Sequence, residues 1–203
     1  MQFGVHLPNF GAFGDARLLA ELAQEAETAG WGGFFIWDHI TRAWPVPVVD
    51  PWVALAAIAI NTKRLRLGAL VTPLPRRRPW KVARETVSIH RLSRSRLIFS
   101  AGIGGEGGRD VEWANLGEVV DLRKRGAMLD EGLQVMAGLW SGERFTFQGK
   151  YYQLENSQFL PAMNRMRPIP IWIGGYWPNK KPFQRAAKWD GVVPIFLKTA
   201  AIV

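Results

Sequence analysis

The chain has no cysteine, which removes disulfides, thiol nucleophiles and sulfur-ligated metals in one step. Histidine is scarce as well. His6, His39 and His90 are the only three, and they are scattered without the helical pairing a zinc site uses, so no metal site is expected. No apolar run approaches the roughly 20 residues of a membrane helix, so neither a membrane span nor a membrane partner is expected. The opening Met1-Gln2-Phe3-Gly4 lacks the basic region and long apolar stretch of a signal peptide, and a cytoplasmic location is expected. Acidic residues are in the minority, 17 against 26 basic ones, for a net charge of +9. That balance suits an anionic partner. The basic residues are split among Arg76-Arg77-Arg78, Arg123-Lys124-Arg125 and Lys180-Lys181, with no accompanying nucleic-acid motif. They are expected on a solvated surface, with one cluster available to a phosphate-bearing ligand, and nucleic acid is not an expected partner.

What the chain does have is a repeat. Phe3, Phe34, Leu65 and Leu97 each lie in a short apolar run, at spacings of 31, 31 and 32 residues, about the length of one strand-helix unit. Two further runs, 169–174 and 191–197, follow. A period of this length implies a parallel sheet, either doubly wound or closed into an eight-fold barrel, and six units are visible. With 203 residues, 48% of them hydrophobic, the chain is expected to form one domain spanning 1–203.

Capping chemistry divides the units. Asp15 is placed to cap a helix carrying Leu18, Leu19, Leu22, Ala23 and Ala26 on one face, with Gly30 as its stop. Asp50-Pro51 is an N-cap and first-turn proline opening an apolar helix to about Asn61. Pro79 starts a helix to about Leu92, and Leu122 to Leu139 carries the next one, stopped by Gly142. Strands are predicted over 2–7, 34–37, 65–71 and 96–101. Between the fourth and fifth strands the chain is about 40 residues longer than one unit. Alternation around Gln148-Gly149 predicts a β-hairpin, and 141–168 is treated as an insertion of the kind that lines a site.

Parallel α/β folds bind ligands at the carboxyl ends of their strands. Here those positions hold Asn9, Asp38-His39, Thr72-Pro73, the glycines from Gly102 to Gly105, and Gly174-Gly175. An Asp-His pair at a strand end can act as a general acid or base, or His39 can simply fill a polar layer. His6, inside a strand, is expected to be structural, and His90, on a helix, to pack or face solvent. Gly102-Ile103-Gly104-Gly105-Glu106-Gly107 matches G-x-G-x-x-G, but a dinucleotide fingerprint belongs to a first unit and this is the fourth. Close backbone approach to a phosphate or flat ring suits it better. Trp37, Trp44 and Trp177, on or just past strand ends, are placed to flank a ring-shaped ligand.

These residues together resemble the luciferase-like family of flavin-dependent oxidoreductases. The segments that carry the likeness are Phe3-Gly4-Val5-His6-Leu7-Pro8-Asn9, Ala29-Gly30-Trp31, Ile36-Trp37-Asp38-His39, Asp50-Pro51-Trp52, Leu67-Gly68-Ala69-Leu70-Val71-Thr72-Pro73, Arg76-Arg77-Arg78-Pro79 and Ile171-Trp172-Ile173-Gly174-Gly175. The resemblance implies a TIM-type (β/α) barrel of which about six of eight units are present, shortened at the C-terminus relative to the family, with strands one and six as open edges. It implies FMN or an 8-hydroxy-5-deazaflavin coenzyme, with NAD(P)H as an electron source through a partner reductase, and a small organic substrate. The chemistry would be hydride transfer, or oxygen activation through a flavin hydroperoxide. By the same resemblance His39, with Asp38, is the catalytic pair, and a non-prolyl cis peptide falls at Ala69-Leu70 against the flavin. Asn9, Ala69, Leu70, Thr72, Gly102, Ile103, Gly104, Gly174 and Gly175 would contact the cofactor. Gly105 and Glu106 stand near an acidic residue of the deazaflavin enzymes, and neither is assigned. A homo-oligomer that covers the open edges is the expected assembly. The alternatives are a non-catalytic flavin-binding protein and a truncated, inactive remnant of the family.

Overall fold

Six strand positions stand side by side in sequence order in a computed structural model that describes residues 2–105, 111–163 and 166–195. β1 (Gly4–Leu7) pairs in parallel with β2 (Gly33–Ile36), and β2 with β3 (Arg66–Ala69). A second parallel sheet runs β4 (Thr72–Pro73), β5 (Phe99–Gly102), β8 (Ile171–Tyr176), β9 (Gly191–Ile195). A parallel bridge between Leu67 and Leu97 joins the two. The arrangement is α/β with parallel strands, and no closed barrel forms among the described residues.

The connecting helices form where the capping residues predict. Asp15 accepts hydrogen bonds from the Arg17 and Leu18 amides at the start of α1 (Ala16–Thr28), which buries Leu19, Ala20, Ala23 and Ala26. Asp50 caps α2 (Pro51–Asn61) through the Trp52 and Val53 amides. α3 is Pro79–Leu92 and α4 is Leu122–Trp140, capped by Asp121 on the Lys124 amide. α5 (Lys180–Ala186) is short. β2 is buried along its whole length, Phe34 and Ile36 being almost inaccessible. That is what a strand covered on both faces requires, and it explains a continuous apolar run rather than an alternating one. No described helix is long and apolar enough to cross a membrane.

The predicted hairpin is present but longer and later than its sequence pattern suggests. β6 (Phe145–Gln148) pairs antiparallel with β7 (Gln153–Ser157) across a turn closed by the Gly149 amide on the Tyr152 carbonyl. The reason lies outside the hairpin. The Glu131 carboxylate on α4 accepts the amides of Lys150, Tyr151 and Tyr152 at 2.9, 2.8 and 3.1 Å, which holds those residues out of the ladder. The fourth strand also begins later than predicted, at Phe99. Arg96 is spent instead on fixing loops, donating to the carbonyls of Ala59, Thr62, Leu65 and Ser93 and to the Thr62 hydroxyl.

Candidate active site

β2 ends at Ile36, and the next three residues, Trp37, Asp38 and His39, leave the sheet at its carboxyl edge. Their path is fixed by Asn9, just past β1. The Asn9 side-chain amide donates to the carbonyls of His39 and Val49 at 2.8 and 2.7 Å, and its oxygen accepts the His39 amide at 3.2 Å. Asn9 is fully buried, so its own side of all three bonds is out of water, where leaving them unmade is costly.

Glu112, in the connection after β5, closes the arrangement. One oxygen lies 2.9 Å from His39 Nδ1, and the other accepts the Ile40 amide at 2.9 Å. Arg76 Nη1 is 3.4 Å from that second oxygen. Burial pushes the Glu112 carboxyl up, but the His39 hydrogen bond and charge, the Ile40 amide and Arg76 together outweigh it and hold it below the ordinary value. An ionised carboxylate only accepts, so His39 Nδ1 carries a proton towards it, and in the neutral ring Nε2 is then the acceptor. Asp38 points to the other side. Arg77 donates to it at 2.7 Å, and Arg76 reaches both its carboxylate at 3.2 Å and its carbonyl at 3.0 Å. Burial lowers the Arg77 pKa, yet the Asp38 carboxylate more than compensates and raises it.

Aromatic rings wall the mouth. Phe10 stands edge-on to Trp37, His39 and Trp44, with centroids 5.6, 5.6 and 6.3 Å away. Arg42 lies against Phe10 and Trp44, and its Nη1 is 3.2 Å from each ring nitrogen of His39. No cluster of three or more potential metal ligands exists among the described residues. The chemistry this geometry offers is proton exchange at an imidazole oriented by a carboxylate, beside an apolar wall.

The luciferase-like monooxygenase family matches residues 1–200. The chain belongs to that family. An uncharacterised protein of Mycobacterium tuberculosis is 30% identical over 202 residues, covering 89% of this chain and 66% of that one. An F420-dependent glucose-6-phosphate dehydrogenase of Nakamurella multipartita is 31% identical over 177 residues, 82% of this chain and 48% of that one. Among solved structures, an F420-dependent secondary alcohol dehydrogenase holding an F420-acetone adduct superposes with a TM-score of 0.83 at 22% identity, over 95% of this chain and 57% of that one. The FMN-bound oxygenating constituent of a diketocamphane monooxygenase from Pseudomonas putida gives 0.75 at 20% identity, over 97% and 57%. The chain thus spans about half to two thirds of the length of the curated relatives it matches. Both FMN and F420, a deazaflavin, occur among these relatives.

The expected site residues fall into three groups. Asn9, Asp38 and His39 are drawn together as described. Around β3 and β4 the cis peptide is at Leu70-Val71, one bond later than expected, because the Leu70 amide still continues the ladder onto the Ile36 carbonyl at 2.8 Å. Ala69 is buried, and Thr72 is buried with a hydroxyl that has no hydrogen-bond partner among the described residues. The glycines form the third group. A Cβ on Gly102 would lie 2.8 Å from Val71 Cγ2, and one on Gly174 would lie 2.7 Å from Val71 Cγ1, so Val71 is wedged between them. Gly175 faces Pro182 of α5 in the same way, and Gly104, at φ +80°, faces the Trp113 ring. The Ile103 carbonyl accepts from Arg125 at 3.0 Å. Glu106 and the glycines at 107 and 108 lie outside the described residues. His6 Nε2 is 3.2 Å from the Leu70 carbonyl, and His90 is buried with Nε2 2.9 Å from the Arg167 carbonyl.

The sequence reading missed Glu112, Phe10 and Arg42, and it misplaced three arginines. Arg76 and Arg77 are ion-paired to Asp38 rather than solvated, and Arg125 is buried over the Trp113 ring, its guanidinium 3.9 Å from the centroid.

Proposed function

We propose that the chain carries the cofactor-facing and proton-handling side of a flavin- or deazaflavin-dependent oxidoreductase acting on a small organic substrate. The observation that carries the reading is the His39–Glu112 pair, pinned by Asn9 and the Ile40 amide at the strand ends and walled by Phe10, Trp37 and Trp44. The residues present fit a flat heteroaromatic bearing carbonyl oxygens and ring N–H groups. Thr72 Oγ1 and Asp38 Oδ2 are buried at neighbouring strand ends without a hydrogen-bond partner among the described residues, and unpaired buried polar atoms of this kind are expected to meet a ligand. Asn9, Ala69, Leu70, Thr72, Gly102, Ile103, Gly104, Gly174 and Gly175 would contact such a group, which would supply hydride transfer or oxygen chemistry when bound.

Within this reading the protein's own part is positional and protic. Glu112 fixes the His39 tautomer and ring plane, so Nε2 is the atom that takes or returns a substrate proton. Arg76 and Arg77 neutralise Asp38 and hold its backbone, which keeps His39 at the mouth. On this reading the six parallel strand positions would belong to an eight-stranded barrel, and β1 and β9, each with a single paired neighbour among the described residues, are where further strands or a second copy of the chain would pair.

Titration with FMN and, separately, with the deazaflavin, followed by fluorescence, is expected to give saturable binding of one of them. Absence of both from a folded protein would leave the chain without the proposed role. Given turnover, His39→Ala is expected to lower kcat by about 10²–10⁴-fold while cofactor affinity changes by no more than about threefold. Equal loss of both would make His39 a structural residue rather than a catalytic one, which is the non-catalytic alternative.

A further inference from the structure

We infer that the mouth of the site contains an oxyanion subsite built on Arg42, so that, if the oxidoreductase reading above holds, its substrate carries a carboxylate or phosphate group. The inference begins with charge. Two carboxylates, Asp38 and Glu112, face three guanidiniums, those of Arg42, Arg76 and Arg77. Arg76 and Arg77 share Asp38, and Glu112 is taken by Arg76 and His39. Arg42 is within ion-pair distance of no carboxylate among the described residues. A half-buried cation with no counter-charge among the described residues is costly unless a ligand supplies one.

Geometry separates Arg42 from the two ordinary kinds of arginine. A solvated surface arginine is mobile and unconfined. Arg42 has its guanidinium carbon 4.4 Å from the Phe10 centroid and 4.6 Å from that of Trp44, two rings inclined at 85° to each other. A structural arginine spends its donors on carbonyls, as Arg96 does on four of them. Among the described residues Arg42 instead has one hydrogen-bond partner, the His39 ring, and its Nε is buried with none. Aromatic faces attract the cation and fix its plane, but they accept nothing from the in-plane N–H groups. The result is a rigid planar fork with donors to spare, the shape that pairs with a carboxylate or phosphate. The two rings and His39 confine it before any ligand arrives, which reduces the entropy lost on binding. An anion held there is anchored beside His39, which places the rest of a small substrate within reach of the proton-exchanging nitrogen.

The test reads the Nε–H resonance of Arg42 in nitrogen-15-labelled protein, assigned by its disappearance in Arg42→Lys. Propionate and methyl phosphate are titrated in separate arms at constant ionic strength set with chloride, and propionamide serves as the neutral isostere. A saturable shift with either anion, absent with propionamide, is expected, and whichever anion binds more tightly identifies the group. Arg42→Gln, checked for folding by circular dichroism, is expected to weaken that binding at least about tenfold, as loss of a charge-assisted pair should. Equal shifts from propionamide, a shift that chloride alone reproduces, or unchanged anion affinity in Arg42→Gln would each overturn the subsite. The cofactor titration is read independently. Anion binding without flavin binding would remove the oxidoreductase reading and leave the subsite standing, and flavin binding without anion binding would do the reverse.

Discussion

The two flanks of the candidate mouth hold their shape by opposite means. At the ends of β1, β2 and β4, charges lock one another. Asp38, Glu112, Arg76, Arg77 and His39 form one buried network in which Arg76 bridges both carboxylates. At the ends of β5 and β8 the fit is steric. Gly102 and Gly174 leave room for Val71, and Gly175 leaves room for Pro182. The first flank must present a polar group at a defined point, and a buried charge stays put only against an opposite charge. The second must bring backbones close, and only a missing side chain allows that. One flank is therefore vulnerable to subtraction and the other to addition.

The largest expected effect comes from subtraction. Asp38→Ala leaves the Arg76 and Arg77 guanidiniums facing each other without their carboxylate, and breaking a buried pair in this way costs about 3–5 kcal/mol. Urea denaturation should show it as a lowered midpoint with an unchanged slope. A loss below about 1 kcal/mol, the range of exposed pairs, would mean that the network is screened by water and that the two flanks do not differ in kind. Addition on the other flank should cost less. Gly174→Ala puts a methyl 2.7 Å from Val71 Cγ1, and overpacking of this size costs about 1–3 kcal/mol. Steric damage is repairable where electrostatic damage is not. Val71→Ala combined with Gly174→Ala should recover part of the loss, a favourable coupling in a double-mutant cycle. Strictly additive losses would remove Val71 as the wedge.

How much of this was legible in the sequence follows from the range of the signals. Strand positions came from apolar runs, and α1 and α2 from Asp15, Asp50 and Pro51, because capping and burial act within a few residues. Asn9, Asp38 and His39 were found because strand ends are predictable once strands are. Glu112 was not, since 73 residues separate it from His39 and the connection it occupies has no periodicity. Arg76 and Arg77 were in plain view but read as surface, because nothing local distinguishes a solvated arginine from one whose partner, Asp38, is 38 or 39 residues away. The hairpin's register was displaced for the same reason: Glu131, which holds its turn, lies on another element. Long-range polar pairing is the part of the structure that hydrophobic patterning does not encode.

The smallest effect at neutral pH tests the steric side of the comparison most sharply. Tyr152, on the hairpin turn, is buried against Trp80, with ring centroids 6.2 Å apart, and its hydroxyl has no hydrogen-bond partner among the described residues. The ring is there for its shape, and the oxygen goes unused. Burial is the main cause of a phenol pKa pushed up to about 12; Arg78 opposes the shift while Glu131 and Glu118 reinforce it. In the unfolded chain the same phenol ionises near 10, so between these two values the unfolded state releases a proton that the folded state keeps. Stability from this residue is therefore fully present below about pH 10 and declines by about 2–3 kcal/mol as pH rises towards 12. Tyr152→Phe removes the ionisation and an unsatisfied hydroxyl together, so at pH 7 it should be neutral or stabilising by up to about 1 kcal/mol. Against wild type, its relative stability should then increase steadily above pH 10. Lysines and the other tyrosines titrate in both proteins, so the difference between their urea midpoints isolates this one group. A difference that does not change with pH would show that Tyr152 meets solvent, and that packing alone does not hold this side of the molecule.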